Sequence, residues 1–299
     1  MNGIIIIDKP EKFTSHDVVA RLRRILNTKK IGHTGTLDPF ATGVLVMLVG
    51  KATRLAQFLD KDEKTYEAII RFGFETDTGD RTGNPKVEVI KTDVKREEIE
   101  AVLPEFSGDI EQVPPMYSAK KVKGKKLYEL ARKGIEIERK PVAVRISELQ
   151  ILDDTKLIEE QEISIKVACS AGTYIRSLAE DIGRRIDAPC HLAELRRIKA
   201  GNFEISRAVS IEELEEIVQA EELSEILVSM NEAVLHMPLK TLSEIEVKRI
   251  SNGMKVDASF DGVSVQNIRL IDADQNLVAI GKYLEKEQQI QPRIVFINS

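Results

Sequence analysis

Gly32-His33-Thr34-Gly35-Thr36-Leu37-Asp38-Pro39-Phe40-Ala41-Thr42-Gly43 runs straight into Val44-Leu45-Val46-Met47-Leu48-Val49. Nothing polar interrupts Val44–Val49, so this stretch reads as a strand covered on both faces, with a Gly- and Thr-rich loop delivered at its start. Gly-rich loops often cradle phosphates. A Walker loop fails here, because Gly50-Lys51 is followed by Ala52 and Leu45 stands where its first glycine belongs. The dinucleotide pattern of three spaced glycines is also absent, which disfavours a nucleotide cofactor. What remains is one carboxylate, Asp38, held in a turn by Pro39. An Asp-Pro turn serves structure as readily as catalysis, and spacing alone leaves both readings open.

Working outward, Thr14 with Asp17 three residues later forms a capping box. It opens a helix near Ser15 whose apolar stripe is Val18, Val19, Leu22, Ile25 and Leu26, and whose other face carries Arg21, Arg23 and Arg24. Thr65–Phe72 alternates, with Tyr66, Ala68, Ile70 and Phe72 on one strand face, and Glu162–Cys169 does the same through Ile163, Ile165 and Val167. A turn over residues 170–173 then leads into a helix carrying Ile175, Leu178, Ala179, Ile182 and Ile186. Between Pro104 and Pro141 the pattern breaks at Pro114-Pro115 and Gly124, a short helix spans Lys126–Arg132, and lysines crowd in. This segment reads as an insertion projecting from the main sheet. From about Leu239 a short helix ends at Asn252-Gly253. Short strands follow, separated by Asp261-Gly262, Asp272–Gln275 and Gln288–Pro292, the pattern of a small β-rich domain. Strands and helices do not alternate regularly, so the class is α+β.

The 299 residues suffice for two domains, and 42% hydrophobic with 31% charged residues describes an ordinary globular chain. Val44–Val49 is the longest apolar run, far below the ~20 residues a spanning helix needs. Ile4–Ile7 stops at Asp8-Lys9, short of the ~7–15 apolar residues of a secretory signal. Cys169 and Cys190 make neither a disulfide framework nor a thiolate zinc site, so the expected compartment is the reducing cytoplasm. Net charge is −5, but its distribution is uneven. Lys120 to Arg145 holds ten bases against three acids, a net of +7, while Glu212 to Glu225 holds seven glutamates and no base. That asymmetry permits a basic binding face on an acidic protein, and a solvated helix face is the competing reading. Arg176 falls in the first turn of its helix, where a cation opposes the macrodipole unless an anion is near. A buried carboxylate and a rim salt bridge both satisfy that requirement. His33, His191 and His236 lack metal-ligand spacing, and no metal site is expected.

The loop from Gly32 to Gly43 resembles the catalytic loop of the bacterial tRNA pseudouridine-55 synthases, the TruB family. So, in the same order, do Asp8-Lys9-Pro10 with Thr14–Asp17, Lys64-Thr65-Tyr66-Glu67-Ala68 and Pro114-Pro115-Met116-Tyr117-Ser118-Ala119. Gly124-Lys125-Lys126-Leu127-Tyr128, Gly172–Leu178, and His191-Leu192 with Leu195-Arg196-Arg197 continue the match over most of residues 3–200. Lys12 stands where that family usually has glycine, and Asp187 and Cys190 replace small residues.

The resemblance implies a pseudouridine-synthase fold, with a mixed, largely antiparallel central sheet flanked by helices. It implies a catalytic domain over 1–238 with a basic thumb at about 105–145, and a PUA-like RNA-binding domain over 239–299. It further implies isomerisation of uridine to pseudouridine in the T-loop of tRNA, with the nucleotide flipped out of its stack. Asp38 is then the essential carboxylate, nucleophile or base at the sugar, with Arg176 paired to it and Tyr66 stacked on the base. Leu195 closes the pocket, His33 fills the space the base leaves, and Tyr174 and Lys9 contact substrate. Lys120, Lys121, Lys125 and Lys126 clamp phosphates of the T-arm. No cofactor, no membrane and no obligatory protein partner are implied, and a monomer is expected. A non-catalytic RNA-binding module and a guide-RNA-dependent synthase are the rival classes. The latter would need partner proteins and would not need the basic insertion for its own RNA capture.

Overall fold

The computed structural model describes residues 1–299 except 87, 89, 91, 119, 123, 261–265 and 298–299, and leaves the side chains of 121 and 126 undescribed. The chain opens with β1 (Gly3–Lys9), α1 (Ser15–Ile25), β2 (Ile31–Thr34), β3 (Thr42–Val49), α2 (Ala56–Leu59) and β4 (Lys64–Phe72). Then come α3 (Arg96–Val102), β5 (Gly108–Gln112), β6 (Lys121–Val122), β7 (Lys125–Lys126) and α4 (Leu127–Ala131). β8 (Val142–Asp153), β9 (Glu162–Cys169), α5 (Ile175–Arg185), β10 (Cys190–Ala200), β11 (Phe203–Glu204) and α6 (Ile211–Gln219) complete the larger part. The rest is β12 (Leu239–Thr241), α7 (Glu244–Ser251), β13 (Val256–Asp257), β14 (Ile268–Ile271), β15 (Leu277–Leu284) and β16 (Gln289–Val295).

The main sheet runs β1-β3-β10-β4-β9-β8-β5, with β2 added to β3 and β11 to β10. Only β3 and β10 pair in parallel, at Arg196–Thr42 and Arg197–Gly43; the other pairings are antiparallel. β3 is buried from Gly43 to Val49, as its unbroken apolar run requires. One side of its region packs on α1 through Ile5, Ile7, Val18, Leu22, Leu45 and Met47. The Thr14 capping box forms as read, with the Thr14 side chain on the Asp17 N–H and the Asp17 carboxylate on the Thr14 N–H. The face of β4 with Ala68, Ile70 and Phe72 packs with Ile163, Ile165 and Val167 of β9 on Leu178 and Ile182 of α5.

Three boundaries depart from the sequence reading. The loop begins at Gly35, because Ile31–Thr34 pairs with β3 as β2. The insertion is narrower than 105–145, since β5 and β8 pair over Gly108–Ile146 to Gln112–Val142 inside the main sheet. Only residues 113–141 project, carrying the β6–β7 hairpin and α4. β16 runs through Pro292 without a break, and the turn falls earlier, at Gln288 in a left-handed conformation. Pro292 sits opposite Gly281 beside a bulge, where a missing N–H is tolerated. Asp261-Gly262 lies outside the described residues.

The second sheet has the order β12-β14-β15-β16-β13. It is not an isolated bead: Ile271, Leu277, Ile280, Ile294 and Phe296 share a core with Ile4, Ile6, Val46 and Leu48. The acidic helix α6 packs by Ile211 and Leu214 into the α1 core, and Glu215 pairs with Arg21. No described helix is long and apolar enough to cross a membrane.

Candidate active site

Residues 35–41 cross from β2 to β3 without regular pairing of their own, so their backbone is held by side chains from elsewhere. The Ser15 hydroxyl, buried at the start of α1, donates to the Leu37 carbonyl at 3.2 Å and accepts from the Leu37 N–H at 3.0 Å. The Gly35 N–H donates to the Asp60 carboxylate at 3.1 Å, and the Lys12 N–H to the Pro39 carbonyl at 2.8 Å. The Ala41 N–H returns to the Asp38 carbonyl at 3.1 Å, closing a turn with Pro39 at its second position. Lys12 holds φ of 70°, so the glycine-type turn is kept at this position despite the lysine.

Three buried cations cage this loop, and none has an acidic side chain as its hydrogen-bond partner. Lys9 donates to the carbonyls of Pro10 at 2.8 Å, Phe13 at 2.7 Å and Pro39 at 3.4 Å. Lys64 donates to the carbonyls of Asp60 and Asp62. Arg197 donates from Nε to the Val44 carbonyl at 2.7 Å and from Nη2 to the Gly35 carbonyl at 2.8 Å, joining the two ends of the loop. Gly43 is needed where β3 meets Arg197: its φ is 97°, and a Cβ there would lie 2.2 Å from the Arg197 carbonyl oxygen. Burial pushes the Lys9 ammonium down to about 8, against the pull of Asp38.

Asp38 leaves the loop to meet Arg176, with Nε to Oδ2 at 3.0 Å. The Arg176 side chain is only 6% exposed and uses its whole fork. Nη1 donates to the Thr78 carbonyl at 2.9 Å and faces the Asp80 carboxylate at 3.4 Å, while Nη2 donates to the Tyr117 carbonyl at 2.7 Å. The two carboxylates supply the anions that an arginine at the start of α5 requires. Asp80 is itself fixed by Thr78 Oγ1, the Thr82 N–H and Thr82 Oγ1. The start of α5 is fixed by the buried Gln112 amide, which accepts from the Tyr174 N–H at 2.8 Å and donates to the Tyr174 carbonyl at 3.0 Å. Asp38 keeps 36% of its side chain open to the pocket, yet protein crowds it on the other sides. That desolvation pushes its carboxyl above the usual range, with Arg176 pulling it down and Asp80 pushing it up.

Asp38, Tyr66, Tyr174, Arg176 and Leu195 line one cavity of about 240 Å³, together with Ser118 and Arg197. Tyr66 faces Arg197 across the β4–β10 pairing, and Leu195 faces Ala68 beyond a bulge at Ala193 that re-aims this part of β10. Burial pushes the Tyr66 phenol up, while the Arg197 guanidinium pulls it down. A larger cavity of about 780 Å³ lies under the projecting segment. Its walls carry five acids (Asp77, Glu111, Glu136, Glu180 and Asp181) and four bases (Lys86, Arg139, Arg176 and Arg184), and Asp38 is not among its lining residues.

The other residues singled out by sequence fall elsewhere. Lys9, read as a substrate contact, has no exposed surface, and its donors are used on backbone carbonyls. His33 sits on β2 against Met47 and edge-on to His16 at 5.8 Å between ring centroids, outside the cavity. Lys120 is half-buried and Lys125 exposed in the projecting segment; the side chains of Lys121 and Lys126 lie outside the described residues. Asp80, Gln112 and Arg197 were not assigned roles from sequence. Asp80 carried a local signal, an acid inside Thr76-Asp77-Thr78-Gly79-Asp80-Arg81-Thr82-Gly83. Arg197 stood inside the Leu195-Arg196-Arg197 block of the resemblance without a role, and Gln112 carried no signal, since their partners are remote backbone atoms. Among the described residues no group of three or more His, Cys, Asp or Glu side chains is placed to hold a metal.

The Asp38–Arg176 pair, set in a mixed and largely antiparallel sheet, belongs to a pseudouridine-synthase fold. The chain belongs to the TruB family of pseudouridylate synthases: residues 23–175 match the family's N-terminal domain, and residues 176–235 match the tRNA pseudouridylate synthase B C-terminal domain. It is 42% identical over 284 residues to a tRNA pseudouridine synthase B of Solibacter usitatus, covering 94% of this chain and 96% of that one. With the protein of the same name from Bacillus cereus it shares 41% identity, covering 100% of this chain and 98% of the relative. Among solved structures it resembles a Cbf5-Nop10-Gar1 complex, with a TM-score of 0.76 and 27% identity over 99% of this chain and 85% of that one. An H/ACA RNP bound to a substrate RNA containing 2'-deoxyuridine is similar at a TM-score of 0.74 and 25% identity, covering 99% of this chain and 85% of that one.

Proposed function

We propose that this chain isomerises uridine to pseudouridine at position 55, in the T-loop of tRNA, and does so without a protein partner. The observation that carries the reading is the Asp38–Arg176 pair at 3.0 Å inside a cavity that Tyr66 and Leu195 also line. The reaction breaks N1–C1′, turns the uracil and joins C5 to C1′; the C5 proton leaves to solvent and N1 regains one. Asp38 acts at the sugar, as nucleophile or as base, and both roles need the ionised carboxylate that Arg176 favours. Tyr66 and Leu195 hold the base between them. The cavity admits one nucleotide and not a helix, so the target is flipped out to reach it. His33 fills the space left in the RNA, and the lysines of residues 113–141 hold phosphates of the T-arm. Residues 1–238 form the catalytic domain and 239–299 a PUA-like RNA-binding domain.

Relatives at 41–42% identity over nearly the whole chain bear the name tRNA pseudouridine synthase B, which favours tRNA over a guide-selected target. The basic projecting segment favours RNA capture by the chain itself. The test uses purified protein alone and a T-arm stem-loop tritiated at C5 of its uridines. Tritium release at one uridine, abolished when that uridine is replaced by cytidine, supports the reading. Release that requires added proteins or a guide RNA overturns it.

A further inference from the structure

Ser118 lies near the start of the projecting segment and is 5% exposed, yet it lines the cavity that holds Asp38 and Arg176. Its Oγ has no hydrogen-bond partner among the described residues. Its backbone is fully engaged: the N–H donates to the Met116 carbonyl at 3.0 Å, and the carbonyl accepts from the Tyr128 N–H of α4 at 3.0 Å. On one side, the Tyr117 carbonyl fixes Arg176 Nη2 at 2.7 Å. On the other, the Lys120 carbonyl accepts from the Leu127 N–H at 2.9 Å and anchors the hairpin that carries Lys125. Along the chain, Ser118 therefore stands between the carbonyl that fixes Arg176 and the anchor of the hairpin that carries Lys125.

A buried hydroxyl without a partner costs free energy, so a serine here calls for a partner that arrives with the substrate. With the base between Tyr66 and Leu195, the groups left for this wall are sugar and phosphate oxygens. We propose that the Ser118 hydroxyl hydrogen-bonds the 2′-hydroxyl or a non-bridging phosphate oxygen of the flipped nucleotide, and thereby sets C1′ against Asp38. Ser118 is a positioning residue on this view, which rests on the pseudouridine-forming activity proposed above.

The test is Ser118→Ala in the full-length protein. The expected fall in the single-turnover rate at saturating enzyme is about 2- to 12-fold, the worth of one neutral hydrogen bond. Thermal stability of the RNA-free variant should equal or exceed that of the parent, since the hydroxyl has nothing to bond there. Two modified stem-loops locate the partner: a 2′-deoxyuridine at the target, and methylphosphonates at its two linkages. On the RNA lacking the bonded oxygen, parent and variant should react equally. An unchanged rate on unmodified RNA overturns the proposal. So does a fall in melting temperature, which reveals a partner within the protein, and so does a rate ratio that persists on both modified RNAs. An inactive parent protein would instead overturn the activity on which the proposal rests.

Discussion

Arg197 has no surface in contact with solvent beyond 1%, and it ties the two ends of the Asp38 loop together through the Gly35 and Val44 carbonyls. Removing its donors takes this partner from the buried Val44 carbonyl and from the part-buried Gly35 carbonyl. A hydrogen bond to a charged group contributes about 1.5–3 kcal/mol, so losing two costs about 3–6 kcal/mol. That is a large share of the ~5–15 kcal/mol that holds a typical domain together. Arg197→Met, similar in length and without donors, should show that loss. Arg197→Lys keeps the charge but reaches one carbonyl, and should lose about 1.5–3 kcal/mol. Urea unfolding followed by far-UV circular dichroism measures both, with equal m-values as the check that one transition is compared. Tritium release should fall in the same order, since the freed loop no longer presents Asp38 to Arg176. Unfolding of Arg197→Met within about 1 kcal/mol of the parent would refute the claim that these carbonyl anchors hold the loop.

Asp38→Asn should abolish tritium release while RNA affinity stays within about tenfold, roughly 1.4 kcal/mol, because one carboxylate does the chemistry and many other groups hold the RNA; measurable release would remove Asp38 from the mechanism. Arg176→Met should lower turnover on the order of 10²–10³-fold, and raising the pH should not restore it, because Arg176 also holds the Thr78 and Tyr117 carbonyls. Full recovery at high pH would reduce Arg176 to a charge that keeps Asp38 ionised. Lys9 loses its proton in the folded state near 8 rather than 10.5, so between those values the unfolded chain binds more protons and Lys9 makes stability rise with pH. The difference in unfolding free energy between the parent and Lys9→Met should grow across that window, and a flat difference would show that Lys9 titrates normally. Neutralising Lys120, Lys121, Lys123, Lys125 and Lys126 together should flatten the slope of log K against log[salt] by up to about four units, at ~0.7–0.9 per phosphate contact, with turnover at saturating RNA largely spared. An unchanged slope would assign RNA binding to Arg21, Arg23 and Arg24 or to the second sheet.

The elements with strong local signals were legible from the chain itself. Val44–Val49 had to be an interior strand because nothing along it could face water, and Thr14 with Asp17 had to start a helix because both orphan N–H groups are satisfied within four residues. Asp38 and Arg176 stood out as polar groups pressed against apolar sequence, and the resemblance linked them to one chemistry. The limits of the projecting segment were not legible, since Gly108–Gln112 becomes a strand only by pairing with Val142–Ile146 thirty residues away. Lys9 read as a cation available to RNA, and only the folded chain turns its ammonium inward onto three carbonyls. Arg197 and Lys64 lay inside blocks of the resemblance but, like Gln112, drew no role of their own, for the same reason. Their partners are backbone carbonyls and amides, which every residue carries, so no residue type marks the other end of the bond. Tertiary structure alone decided that a loop with no ladder of its own would be held rigid by buried cations, with its one carboxylate left to face Arg176.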